Sequence, residues 1–520
     1  MRKSVLLAAV AATSVVAVSA SMVWSAVGVD SSGLRNAVTI TNTLVHLQAL
    51  QAVANSNGGV RAAGTSGHAQ SVDYIEGQLS TGYFNITRQS FDFPLFTELS
   101  APVLSRLTPS PVNYVEGPDF STMTYSGSGD VSGTIKPASG IIIIPPTAAS
   151  SSTSGCTMAD FPGTTADWTG KIALVQRGGC TFFDKATNAK AAGAAAVVIF
   201  NEGNPERTDN FGGTLGEVVT IPVLSASFAV GQQLLPAGTT VHVKTETQST
   251  IEHTVNLIAE TKLGRSDRVA VAGAHLDSVT AGPGIQDNGS GSAGILEVAR
   301  QMAALNIVPR NKVRFIWFSA EEAGLLGSEH YVSQLTATQI KNISVNLNFD
   351  MIASPNYVRF IYDGDGSDTP DAGPNGSAVI EDVFKKYFQS QGLRTEPTAF
   401  DGRSDYGPFI DAGIPAGGLF TGADDVKTAA EVLVYGGIAL EIHDPCYHQA
   451  CDDINNVINN PDYGDRGKLV FDVMLDAVAD AVLQFAMTTS ATKGTSKAND
   501  RAVKSVDAAS LLYKGSQLQR

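Results

Sequence analysis

Two adjacent glutamates, Glu321 and Glu322, close the apolar run "VRFIWFSAEE". Neighbouring carboxylates repel, and desolvating both is costly unless a cation is present. A helix N-terminus is the ordinary alternative, because acids suit the positive end of the helix dipole. Metal-type residues recur elsewhere. "RVAVAGAHLDS" ends on His275 and Asp277, and "SVNLNFDM" ends on Asp350. The glycine-rich loop "GPGIQDNGSGSAG" carries Asp287, and "HDPCYHQAC" sets His448 between two cysteines. A lone strand-end histidine is more often structural than a ligand. Several such groups converging on one sheet edge are hard to explain as caps. Imidazole with carboxylate suits zinc or a similar divalent metal. Two histidines and three or more carboxylates can hold two metals, with one carboxylate bridging. Side chains diverge where a backbone leaves a strand. One glutamate can therefore bind metal while its neighbour acts as a base toward water, and the metal charge offsets their repulsion.

The elements that must position these groups follow from the apolar pattern. "TVNLIAETK", "RVAVAGAHLDS", "VRFIWFSAEE" and "SVNLNFDMIA" read as strands, and "GSAGILEVARQMAAL" and "SEHYVSQL" as helices between them. Strand–helix alternation predicts a mixed, mostly parallel α/β sheet flanked by helices. Ligands in such sheets sit at the carboxyl ends of strands. Nearer the N-terminus, Leu44, Leu47, Leu50 and Val53 recur at helical spacing until Gly58-Gly59. "SVDYIEGQLSTGYF" predicts a second helix and "ITRQSFDFPLF" a strand. From about residue 110, short apolar runs lie between Gly, Ser and Pro clusters, which predicts a β-rich unit ending near residue 249. Within it, "FFDKATNAKAAGAAAVVIFNEG" reads as a helix followed by a strand.

Composition narrows the classes. The chain has 520 residues, 43% hydrophobic and 16% charged, enough for large cores. A formal charge of −15 argues against nucleic acid as a partner. Arg2 and Lys3, the apolar stretch Val5 to Val18 and the small residues Val18–Ala20 form a signal-peptide pattern over residues 1–20. A membrane anchor is the alternative, but the run is short for a span. The four cysteines suit disulfides in an exported protein. Proximity favours Cys156–Cys180 and Cys446–Cys451, and neither pair has the Cys-x-x-Cys spacing of a zinc site. The polar stretch 489–520 reads as a flexible tail.

The segments "AHLDSV", "IQDNGSGSAG", "FSAEEAGLLGS", "NFDMI", "GRSDYGPF", "GGLFTGA" and "CYHQACDD" together resemble the bacterial secreted dizinc aminopeptidases of leucyl type. "GKIALVQRGGCTFFDKATNAKAAGAAAVVIFN" resembles a protease-associated (PA) domain. The resemblance implies a zinc-exopeptidase fold over residues 36–110 and 250–488, with a PA domain inserted at 111–249. It implies two Zn(2+) per chain: His275 and Asp350 on one, Glu322 and His448 on the other, and Asp287 bridging. Glu321 would be the general base, and Asp277 would orient His275. Tyr447 and Arg403 match positions that steady the tetrahedral intermediate. Phe420 matches an apolar wall of the substrate pocket. Glu396 is the glutamate nearest the "DGRSD" motif, where some relatives place an acid that receives the free amine.

The expected protein is a secreted, extracellular or periplasmic monomer acting on peptide substrates, with no nucleic acid and no membrane contact after signal removal. It would remove large apolar N-terminal residues. A carboxypeptidase or dipeptidase on the same fold, or a non-catalytic receptor-like protein, are the alternatives. His443 lies near His448 but outside the Cys-Tyr-His motif. His46, His68, His242, His253 and His330 have no motif around them and read as structural or exposed. Asn85 and Asn288 head glycosylation-type triplets, but a glycan at Asn288 would crowd the metal site.

Overall fold

The computed structural model describes residues 29–143, 152–204, 207–488 and 492. The expected signal segment and all of the expected tail except Thr492 lie outside them. Strands across the described residues join into one 14-stranded mixed sheet. At its centre, Arg265–His275 lies between Asn311–Phe318 and Ile343–Phe349 and runs parallel to both. Ala416–Phe420 extends the parallel ladder beyond Ile343–Phe349. Arg265–His275 is buried from Val269 onward and the other three along nearly their whole length, as parallel strands covered on both faces must be.

Helices Gly289–Ala304 and Arg466–Met487 pack on this sheet. They join Leu47, Leu50, Trp317, Phe349 and Phe471 in one large core. The expected N-terminal helix is Ile40–Ser56, capped by Thr39, whose hydroxyl accepts the Asn42 amide at 3.3 Å. Leu47 and Leu50 are buried in it, while Leu44 and Val53 are half-buried at its edges. The second helix is Ser66–Leu79. No helix among the described residues is long and apolar enough to cross a membrane.

The second unit has its own cores. Gly129–Pro137, Ile172–Gln176, Ala196–Phe200 and Val223–Ala226 form a parallel ladder. Alternate side chains serve opposite faces: Ala173, Val175, Val197 and Ile199 pack with Phe182 and Trp168, and Leu174, Val198 and Phe200 with Leu104 and Val241. Parallel strands need crossovers, and helix Phe182–Ala192 supplies the one from Ile172–Gln176 to Ala196–Phe200, while helix Phe228–Leu234 follows the last parallel strand, so the unit is less purely β than its texture suggests.

The expected end of this unit near residue 249 is not a break in the backbone. Thr240–Thr261 is one strand, joining two runs that the sequence pattern separates. It pairs antiparallel with the 25-residue strand Phe84–Thr108. Neither Gly nor Pro interrupts residues 240–261, so nothing ends the strand where the composition changes. Both units therefore hang on one continuous ribbon. The cysteines pair as Cys156–Cys180 and Cys446–Cys451.

Candidate active site

The central strands carry their polar groups to one edge because they run parallel and in register. His275 is the last residue of Arg265–His275, Asp350 follows Phe349, and Glu321 and Glu322 follow Phe318 by three and four residues. Asp287 arrives from the loop before helix Gly289–Ala304. The helix starts there because the Asn288 side chain accepts the Gly291 amide at 2.9 Å. Asn288 is fully buried, and its amide donates to the Phe349 carbonyl at 2.9 Å, which leaves no room for a glycan. His448 comes from the loop closed by Cys446–Cys451, and its ring stacks on Tyr447 at 3.8 Å.

The separations decide what this cluster can hold. His275 Nε2 lies 3.2 Å from Asp287 Oδ1 and 3.3 Å from Asp350 Oδ1. His448 Nε2 lies 3.3 Å from Asp287 Oδ2 and 3.1 Å from Glu322 Oε2. Both oxygens of Glu322, and Oδ1 of Asp350, are buried without a hydrogen-bond partner, so these approaches lack hydrogen-bonding direction. Ligand atoms about 2.1 Å from a tetrahedral cation lie about 3.4 Å from one another. Separations of this size would suit a cation on each side of Asp287, and the three-residue groups that come together are His275, Glu321 and Asp350, and His275, Asp287 and Glu322. Glu321 Oε2 stands farther from His275 Nε2, at 3.9 Å. A third acidic group, Asp363, Asp365 and Glu381, also comes together. It is already occupied: backbone amides from Gly366 to Thr369 donate to Asp363, and Lys385 pairs with Glu381.

Electrostatics report a site dominated by carboxylates. Burial opposes charge on His448, but Glu322 and Asp287 outweigh it and push the imidazolium up to about 10. Burial also raises Glu321 well above the usual carboxylate range; His275 opposes this and Glu322 reinforces it. A bound divalent ion reverses this balance, because it becomes the largest local charge.

Asp277 is fully buried beneath the centre. His275 Nδ1 lies 3.1 Å from its backbone carbonyl and 3.7 Å from its carboxylate. The carboxylate instead accepts the backbone amides of Glu321 and Glu322. Arg403 donates from Nη2 to the Tyr447 hydroxyl at 3.2 Å and pairs with Asp424 at 3.0 Å. Burial holds the Tyr447 phenol well above its ordinary value, with Arg403 opposing, so it stays protonated at neutral pH. Phe420, Met351 and Tyr362 line the cleft beside Asp287, Glu321 and His448. Phe420 stacks on Phe360 at 5.9 Å.

Two residues lie elsewhere. Glu396 is not among the residues lining the cleft, and its carboxylate accepts from the Tyr435 hydroxyl at 3.2 Å. His443 packs edge-on to Phe360, and neither of its ring nitrogens has a partner. The acids that do line the cleft near Arg403 are Asp401 and Asp425, which sequence reasoning passed over. It also passed over Ser404, whose hydroxyl donates to Asp350 Oδ2 at 2.6 Å, although "GRSDYGPF" contains it.

Residues 256–474 match the model of peptidase family M28, and residues 141–234 match the PA domain. A curated relative from Pseudomonas aeruginosa, named aminopeptidase, is 44% identical over 439 residues, covering 82% of this chain and 78% of its own. The chain belongs to peptidase family M28. This M28 peptidase is 38% identical over 439 residues to leucine aminopeptidase 2 of Trichophyton tonsurans, covering 82% of each. The solved structure of a zinc aminopeptidase from Bacillus subtilis superposes with a TM-score of 0.52 at 25% identity, covering 85% of this chain and 94% of that one. As an M28 member the chain is a peptide-bond hydrolase, and the cleft at the strand ends is its candidate active site.

Proposed function

We propose that the protein is a secreted aminopeptidase that uses two zinc ions to remove large apolar N-terminal residues from peptides. The observation that carries this reading is the pair of approaches to Asp287, with His275 on one oxygen and His448 on the other. His275 and Asp350 would hold one zinc and Glu322 and His448 the other, with Asp287 shared. The names of the Pseudomonas and Trichophyton relatives support aminopeptidase action on leucyl-type substrates. The Bacillus neighbour is a zinc aminopeptidase, which supports the choice of metal. When bound, zinc lowers the pKa of water and polarises a scissile carbonyl.

The chain's own groups do the rest. Glu321 takes the proton from the attacking water and passes it to the leaving amine. Tyr447 keeps its proton and accepts from Arg403, so its O–H is free to donate to the oxyanion. Phe420, Met351 and Tyr362 give the N-terminal side chain an apolar wall. In this reading residues 36–110 and 250–488 are the peptidase unit, and the PA unit at 111–249 covers part of the cleft or engages long substrates. Two disulfides support an oxidising, extracellular or periplasmic location. The reading takes the protein to act as a monomer.

The test is a panel of leucyl and acetyl-leucyl amides, run with and without chelator beside metal analysis. Cleavage of the free amine only, loss of activity on chelation and about two zinc ions per chain are expected. Equal hydrolysis of acetylated substrate rejects aminopeptidase action, and full activity without metal rejects zinc.

A further inference from the structure

Arg61 belongs to no motif, yet it is fully buried between two helices of the N-terminal segment. Its guanidinium donates to three backbone carbonyls of one loop: Nε to Pro283 at 2.8 Å, Nη1 to Leu276 and Nη2 to Gly284. Its own amide donates to the Ser278 hydroxyl at 2.9 Å. From the other side, Asp452 takes the same loop by its amides. Oδ1 accepts Gln286 N–H at 2.8 Å and Oδ2 accepts Asp287 N–H at 3.0 Å. The Asp452 carbonyl accepts the Ile285 amide at 3.0 Å. The loop joins His275 to Asp287, and Asp452 follows directly on the disulfide loop that carries His448. These loops touch closely, since a Cβ on Gly282 would lie 2.2 Å from the Gln449 carbonyl oxygen.

We infer that Arg61 and Asp452 are positioning residues that clamp the 276–287 loop by its backbone and so fix Asp287 between His275 and His448. The inference rests on the two-zinc reading above. Fold stability alone is a poor reason for this arrangement. Burying a guanidinium and a carboxylate is costly, and apolar replacements are often as stable. What the charges provide here is direction. A planar fork reaches three carbonyls at once, and a carboxylate accepts two adjacent amides. The guanidinium also faces Asp277, Asp452, Asp287 and Glu322, and although burial lowers it to about 10 it is charged at neutral pH. It thus supplies positive charge beneath a carboxylate-rich centre.

The test uses full-length, zinc-loaded protein and follows zinc release to a chromogenic chelator. Asp452→Asn keeps one acceptor and turns an N–H2 toward the second amide. Arg61→Met keeps the stem and removes the fork. Each should release zinc about 10- to 100-fold faster, the scale seen when partners behind metal ligands are removed. Both zinc positions should weaken together, because Asp287 is shared. Arg61→Lys should recover only part of the loss, since one nitrogen cannot reach three carbonyls. Unchanged zinc release in folded Asp452→Asn and Arg61→Met overturns the clamp, whatever happens to their unfolding midpoints. If Arg61→Met does not fold, Asp452→Asn decides by the same criterion. Wild-type protein that holds no zinc overturns the two-zinc reading, and the clamp with it. Tight zinc in wild type and in both variants overturns the clamp alone.

Discussion

Asp277 holds Glu321 by its backbone: Oδ1 accepts the Glu321 amide at 3.3 Å, while Oδ2 accepts the next amide, that of Glu322, at 3.3 Å. One carboxylate thus grips the turn from which both glutamates project. The turn is tight, with the Gly324 and Leu325 amides donating to the Glu321 carbonyl and Ala320 at φ 55°. Asp277→Asn keeps the shape but presents one oxygen and one N–H2. One amide loses its acceptor, and the base and the metal-type glutamate lose their common reference. A fall in kcat of about 10- to 100-fold is expected, with KM for a leucyl amide changed less. Steady-state kinetics on the zinc-saturated variant check this, and an unchanged kcat removes Asp277 from the mechanism.

The adjacent glutamates should fail differently. Glu321→Gln keeps size and reach but cannot accept a proton. It should retain zinc and lose about a hundredfold or more in rate. Glu322→Ala removes the carboxylate that His448 approaches at 3.1 Å, so it should weaken one zinc position, and excess zinc should partly restore activity. Metal analysis beside kinetics separates the two roles. If Glu321→Gln sheds zinc while Glu322→Ala keeps it, the assignments are reversed.

The metal-type residues were legible because chemistry of this kind needs particular side chains at strand ends. His275, Asp350 and the glutamate pair each follow an apolar run that could only be a buried strand. The clamp around them was not legible, because it works through the backbone. Arg61 donates to carbonyls, and any residue at 276, 283 or 284 would offer the same oxygen. The continuity of the strand Thr240–Thr261 is hidden for a related reason. Composition changes at residue 249, but hydrogen bonding to Phe84–Thr108 does not. His443 and His448 are five residues apart, and only the fold turns one toward Phe360 and the other toward Asp287.

Two buried histidines give a prediction about pH. Burial holds both His68 and His443 down at about 4, against about 6.5 in an unfolded chain. The unfolded chain therefore binds protons that the folded chain refuses. This stability is full above about pH 6.5 and is lost as pH falls toward 4, at roughly 2 kcal/mol per histidine by pH 5. His443→Gln removes one such group. Urea unfolding of wild type and variant, both with excess zinc, should show their difference shrinking by about 2 kcal/mol between pH 7 and pH 5. A constant difference would mean that His443 takes up a proton inside the fold.

The last prediction concerns which acid meets the substrate amine. Glu396 sits on the edge strand Glu396–Thr398, and its carboxylate is engaged by the Tyr435 hydroxyl. Asp401, five residues on, lines the cleft with Glu321, Asp350 and Arg403. Its Oδ1 accepts from the Tyr406 hydroxyl at 2.7 Å and from the Arg403 amide at 3.1 Å, so the carboxylate is fixed through one oxygen. A fixed carboxylate beside the cleft suits an ammonium group, and a hydrogen bond to a charged partner contributes about 1.5–3 kcal/mol. Asp401→Asn should therefore raise KM for leucyl amides about tenfold or more while Glu396→Gln leaves it within about twofold. The reverse pattern would assign the amine to Glu396 and require the strand edge to shift when substrate binds. No change in either variant would turn the assignment to Asp425, the other acid that lines the cleft near Arg403.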